Sequence, residues 1–319
     1  MIDFRYHLVS IVAIFLALAT GIVLGTTLLQ EPALESAKQV TDTLTAEKQE
    51  LRTQLDALNR REKGNDAFVT SMTPQLVSGD LTGQRLLLVD MPGATASLRE
   101  LQEQVLLQAG ASIVGRISLS ERFLDSNDNL LNESATTLQP TGVAFPPDAT
   151  PYDKAGIVLG NALMTKEDAT ETLGGLALTA FESGGLISVD DEITARATLA
   201  VVFAPETPFQ GETAETQAAG VVALTDGLDA YGRGALIAST VTSTATGGVL
   251  GALRDDGDAS KRVSSIDTLN MPAGRVVVVY ALQEQVAGGA GQYGIGTGAS
   301  AFQPAVPAIP TPTPTLSGS

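Results

Sequence analysis

Between Leu8 and Gln30 the chain carries no charged residue. The 22 residues from Leu8 to Leu29 would span roughly 33 Å as a helix, about the thickness of a bilayer core. Backbone in hydrocarbon has no water to bond, so a helix is the form that satisfies it. The run therefore predicts one transmembrane helix over 8–29, with residues 1–7 on one side of a lipid bilayer and nearly all the rest on the other. Ala17-Leu18-Ala19 also has the small-x-small pattern of a signal-peptide cleavage site. However, the apolar run continues another ten residues past Ala19, more than a cleaved leader requires. Arg5 and the terminal amine precede the helix, while Glu31 and Glu35 follow it. Positive-inside logic then puts the N-terminus in the cytoplasm and the bulk outside, in the periplasm or cell wall. Gly21 and Gly25 have GxxxG spacing, which lets two membrane helices approach closely.

Residues 31–66 change character. Fourteen of these 36 residues are charged, eight acidic and six basic. Leu44, Leu51 and Leu58 recur every seven residues. With these at d, position a holds Leu34, Thr41, Lys48 and Leu55, and Ala37 is an earlier d. A stripe this narrow suits a two-stranded coiled coil better than a globular face. It predicts a stalk over 31–66, paired with a second copy or with another protein's helix, with Leu44, Lys48, Leu51, Leu55 and Leu58 as contact residues. Asp56 and Arg60 add an i,i+4 pair, and Gly64-Asn65-Asp66 reads as the helix end.

From Gly83 onward, short apolar runs alternate with helical stretches. Arg85–Asp90, Ser112–Ile117, Ala155–Leu159, Leu199–Phe203, Ala235–Ser239 and Arg275–Ala281 read as strands. Thr95–Ala109, Lys166–Ser183 and Glu212–Tyr231 read as helices, and 126–155 as an irregular insertion. Alternation of this kind predicts a doubly wound, mainly parallel α/β domain over 75–287, extracytoplasmic by the topology above. Continuous apolar strands fit a sheet covered on both faces. The Gly-rich and Pro/Thr-rich residues 288–319 read as a disordered tail.

Composition narrows the chemistry. The formal net charge is −17, which argues against nucleic acid as a partner, because phosphate contacts need clustered Lys and Arg. There is no Cys, and the one His is His7, beside the anchor. The α/β domain thus has no imidazole or thiol for a Ser-His-Asp or Cys-His site, or for zinc. The loop after Asp90, Met91-Pro92-Gly93-Ala94, holds one glycine and no phosphate cradle. Gly294, Gly296 and Gly298 have no helix predicted after them to supply an N-terminal dipole. Asp190-Asp191-Glu192 and Asp255-Asp256-Gly257-Asp258 match no EF-hand loop and read as acidic turns. No enzymatic activity, cofactor or metal site is predicted.

Two ends of the chain carry a family signature. Arg5-Tyr6-His7-Leu8-Val9-Ser10 and the run Ile14 to Gly25 resemble the start of the actinobacterial MctB family. Ser265-Ile266-Asp267, Pro272-Ala273-Gly274-Arg275 and Gly291-Gln292-Tyr293-Gly294 are similar to its C-terminal portion. That family is named for mycobacterial copper transport protein B, described as an outer-membrane copper channel. The resemblance thus implies copper transport or homeostasis. The acidic, Pro/Thr-tailed chain looks most like the corynebacterial SteB-type members. Those imply daughter-cell separation, with a SteA-type membrane partner and septal peptidoglycan hydrolases of the RipA type. A copper path needs soft or imidazole ligands, or a pore, and Met72, Met91, Met164 and Met271 are scattered. The residues therefore predict a non-enzymatic scaffold that regulates wall remodelling, with copper transport as the alternative.

Overall fold

The computed structural model describes residues 4–125, 129–167 and 175–305. It forms two units, Met1–Asn65 and Asp66–Ser319. Helix α1 runs from Phe4 to Leu76; its residues 4–65 make up the described part of the first unit, and 66–76 belong to the second. Its stretch Phe4–Thr26 is long and apolar enough to cross a bilayer, and none of it is buried by protein. Side chains 27–34 and Ala37, including the predicted seam position Leu34, lie outside the described residues.

The helix does not end at Gly64-Asn65-Asp66, as the sequence suggests. Gly64 faces open space and costs the helix only about 1 kcal/mol. The turns beyond it are fixed by packing, which outweighs that cost. Val69 lies against the core of the second unit, and Thr73 and Val77 are buried. Tyr280 Oη donates to Leu76 O at 3.2 Å.

The second unit is built on a seven-stranded sheet: β1 (Arg85–Asp90), β2 (Ser112–Leu119), β3 (Ile187–Asp191), β4 (Leu199–Phe203), β5 (Gly234–Ala238), β6 (Ser264–Ile266) and β7 (Gln292–Tyr293). Their spatial order is β3-β2-β1-β4-β5-β6-β7. All pairs are parallel except β2 with β3. The chain winds outward from β1 in one direction, then returns to β4 and winds the other way, so this is the doubly wound α/β fold predicted. Strand residues alternate between two cores. Leu87, Val89, Ala200, Val202 and Ile237 face one, which is closed by α4 (Pro151–Leu163), α6 (Ala214–Tyr231) and α7 (Val249–Asp255). Leu86, Leu88, Leu199, Val201 and Leu236 face the other, closed by α2 (Ala96–Gln108) and α8 (Pro272–Val286). Burial on both faces explains why the strands read as continuous apolar runs.

Two predicted strands are helices. Ala155–Leu159 lies inside α4, and Arg275–Ala281 lies inside α8. Both runs are apolar because the helices are buried on most sides, and a short apolar run has no period that separates strand from helix. The start signals do distinguish them. Thr150 and Asp153 form a capping box ahead of α4, with Pro151 in its first turn. Pro272 stands in the first turn of α8.

The remaining departures are local. The insertion 126–155 contains α3 (Leu130–Thr137) and the start of α4. Of the predicted helix Lys166–Ser183, Gly175–Ser183 is α5, Lys166 and Glu167 form a bend, and 168–174 lie outside the described residues. The tail predicted over 288–319 is ordered through Ala305, where β7 joins the sheet edge; 306–319, with the Pro/Thr run, lie outside the described residues.

Candidate functional site

In the first unit, the predicted seam lies bare on α1. Leu44, Leu51, Leu55 and Leu58 are 50–59% exposed, and Lys48 is exposed. The four leucines and Lys48 fall along one face by helical spacing. Gly21 and Gly25 have no atom within 4 Å of their Cβ positions, so close approach of another helix there is unobstructed.

In the second unit, the order of strands reverses between β1 and β4, and ligands of doubly wound sheets bind beyond the carboxyl ends at such a point. Here the position is largely closed by the chain itself. Thr95, at the start of α2, hydrogen-bonds the carboxylate of Glu206, which follows β4. A negative side chain thus stands near the helix start, where a bound phosphate would otherwise be favoured. Gly93 packs closely, its Cβ position 3.4 Å from Pro205. A cavity of about 320 Å3 remains, lined by Pro92, Pro205, Pro208, Phe209, Glu121 and neighbours.

Beside it, on the α2 face, is a charge network that sequence reasoning missed. Asp90, the last residue of β1, accepts from Arg99 of α2 at 2.5 Å. Arg116 of β2 pairs with Asp191 at 3.2 Å, and Asp190 accepts from Ser118 and Ser188. Burial pushes the Asp90 carboxyl up, and the Arg99 charge opposes that rise. The available signal was an acidic residue closing an otherwise apolar strand. The cluster Asp190-Asp191-Glu192 is therefore partly an ion-pair surface on β3. In Asp255–Asp258, Asp256 Oδ1 accepts the N–H groups of Asp258 and Ala259, and Asp258 pairs with Lys261 at 3.1 Å. Both act as turn and surface groups. Among the described residues, no group of three or more His, Asp or Glu is placed to hold a metal ion.

The glycine-rich segment after α8 does cradle an anion, and the anion is internal. Asp267 accepts the N–H groups of Ile295 and Gly296, both at 2.9 Å. Consecutive N–H groups converging on a carboxylate form an anion nest. Gly294 has φ +132°, and a Cβ there would overlap the Asp267 carboxylate. Arg254 of α7 bonds Asp267, Ser265 Oγ, Tyr293 O and Thr297 O. Ser265-Ile266-Asp267 and Gly291–Gly294, noted in the sequence as separate motifs, thus form one clamp. Burial and a hydrogen bond to Glu284 push the Tyr293 phenol up.

A second groove, of about 990 Å3, runs between α4, α6 and the turn after α7. Asp125, Asp148, Asp153, Asp226, Asp256 and Asp258 line it, with Arg262. Arg262 pairs with Asp226 at 2.7 Å, and Asp153 is committed to capping α4.

Helix α1 joins an apolar stretch fit for a bilayer to a polar stretch with exposed leucines, and the doubly wound body fills its own anion nest, the build of an α/β protein with an N-terminal apolar helix. The chain belongs to the MctB family, described as copper transport outer membrane protein, MctB, which matches residues 1–304. It is similar to proteins named copper transporter MctB. That of Mycobacterium tuberculosis (strain ATCC 25618 / H37Rv) is 28% identical over 311 residues, covering 94% of this chain and 98% of the relative. That of Mycobacterium leprae (strain TN) is 26% identical over 323 residues, covering 95% and 99%.

Proposed function

We propose that this protein is a non-enzymatic, single-pass scaffold of the cytoplasmic membrane. Its bulk lies outside the cytoplasm, in the periplasm or cell wall, where it regulates wall remodelling and daughter-cell separation. In this reading the stalk seam binds and activates a septal peptidoglycan hydrolase of the RipA type through that enzyme's coiled-coil segment. A SteA-type membrane protein is the expected companion. The observation that carries the reading is the run of leucines at 44, 51, 55 and 58, each at least half exposed on one helix. Four such side chains facing water cost hydrophobic free energy that a partner helix would recover. The choice of hydrolase rests on the resemblance to SteB-type members.

The test replaces Leu44, Leu51, Leu55 and Leu58 with Asp in the full-length protein. Crosslinked capture of the hydrolase from membranes should be lost, and cells should remain chained. Normal separation with capture intact would refute the reading.

A second reading, copper transport or homeostasis, is favoured by the names of the relatives and the breadth of the family match. The ligand chemistry weighs against it, since the sequence has no Cys and its one His is His7. Soft or imidazole donors are the usual copper ligands. Altered copper content or copper sensitivity in a deletion strain would favour this reading, and unchanged values would remove it.

A further inference from the structure

The seam also specifies how two copies of this chain meet. With Leu44, Leu51 and Leu58 at d, position g holds Glu47 and Gln54, and position e holds Arg52 and Asn59. In a parallel pair, each g residue lies opposite the e residue of the following heptad on the other helix. That register sets Glu47 against Arg52 of the second copy, and Gln54 against Asn59, each twice by symmetry. Upstream, Val40 meets Thr45, so none of these pairings sets like charges together. Glu47 and Arg52 are both exposed on α1.

Antiparallel pairing in the aligned register lacks this complementarity. Aligning Lys48 with Leu51 sets Glu47 against Gln54 and Arg52 against Thr45. A shift of one heptad brings Arg52 against Arg52, which partly offsets the Glu47–Arg61 pairings the same shift creates. Topology points the same way. The stretch Phe4–Thr26 precedes the seam on the same helix, so two copies anchored in one bilayer present their stalks in the same direction. The a position is where the pair is held back. Lys48 meets Lys48 of the second copy, and a charged a residue fixes register while lowering stability. Leu55 fills the next a position and restores the seam.

We propose that the seam pairs two copies of this chain in parallel and in register, with Glu47 opposite Arg52 across the pair and Lys48 as a destabilising layer that keeps the pair exchangeable. This deepens the scaffold reading and rests on its membrane anchor. A self-pair weakened at Lys48 is one that a better-matched helix can displace.

The chain has no Cys, so single cysteines report pairing cleanly. The full-length protein in membranes is oxidised with one cysteine at Leu51→Cys or, on the outer face of the helix, at Thr53→Cys. Leu51→Cys should form the homodimer and Thr53→Cys should not. On the Leu51→Cys background, Glu47→Arg or Arg52→Glu should each lower the association constant by about fivefold, the scale of two symmetric surface ion pairs. The double variant Glu47→Arg/Arg52→Glu should restore it, and Lys48→Leu should raise it. Equal crosslinking at Leu51→Cys and Thr53→Cys, or no recovery in the double variant, would overturn the proposal. Leu51→Cys that never crosslinks to itself while the hydrolase is still captured would overturn self-pairing alone and leave the scaffold reading standing.

Discussion

Arg254 and Asp267 form an ion pair, Nη1 to Oδ2 at 2.9 Å, in which the side chains are 3% and 0% exposed. Neither charge reaches water, so each depends on the other and on the backbone around it. The pair joins α7 to the end of β6, and through the nest at Ile295 and Gly296 it holds the segment that forms the sheet edge.

Replacing Asp267 with Ala should therefore be among the most damaging single changes in the second unit. It removes two backbone acceptor bonds and leaves the Arg254 guanidinium buried without its counter-charge. Loss of one partner of a buried pair costs about 3–5 kcal/mol. Thermal unfolding should show a large fall in Tm. Limited proteolysis should show cleavage within 291–302 before the rest of the unit opens.

The contact between α4 and α6 predicts a contrast between glycines. A Cβ at Gly227 would overlap the backbone of Gly156, and one at Gly160 would overlap Gly227 O. The two helices touch backbone to backbone there. Gly227→Ala must separate them, at about 1–3 kcal/mol for overpacking. Gly64→Ala lies in helix with nothing within 4 Å. It should instead stabilise α1 by about 0.5–1 kcal/mol. Chemical denaturation of the Gly227 variant, and helix content on heating of the Gly64 variant, check the two signs.

These particulars show what could be read from sequence. Strands β1, β4 and β5 and helices α2 and α6 were legible because their runs are bounded by turn residues and alternate in type. The runs now inside α4 and α8 misled because burial all round removes the helical period, although Thr150, Pro151 and Pro272 marked the starts. Strands β6 and β7 are too short to carry a pattern. The seven-residue spacing of the leucines was legible, and what the structure adds is that Leu44, Leu51, Leu55 and Leu58 stand exposed on α1. The clamp was not, because Arg254, Asp267 and Gly294–Gly296 come together only through tertiary folding. A glycine-rich stretch reads as flexible until the carboxylate that fills it is known.

The capping box at α4 makes a local prediction. Thr150 Oγ1 accepts from Asp153 N at 3.2 Å, and Asp153 accepts from Thr150 N at 2.7 Å. Thr150→Ala removes the first of these and should cost about 1 kcal/mol. Denaturant titration should show a lower midpoint with unchanged slope.

Asp229 predicts a pH dependence with a definite sign. Its carboxyl is pushed up to about 6, first by burial and then by the nearby Asp226 charge, against the opposing pull of the Ala235 N–H, Arg262 and Lys166. A carboxyl whose folded pKa lies above its unfolded value binds its proton more tightly in the folded state. Stability is then lost as pH rises from about 4 to about 6, and the loss is complete above that window. A rise of that size corresponds to about 3 kcal/mol at full strength, and partial solvent access reduces this to the order of 2 kcal/mol. Asp229→Asn removes the titration while keeping an oxygen to accept the Ala235 N–H, which Asp229 Oδ1 now holds at 3.0 Å. The variant should match the parent near pH 4, gain on it through pH 6, and keep a constant advantage at pH 7 and above. Comparing the two proteins at each pH cancels the other carboxylates. An advantage that shrinks with rising pH would show that the Asp229 charge is stabilised where it stands.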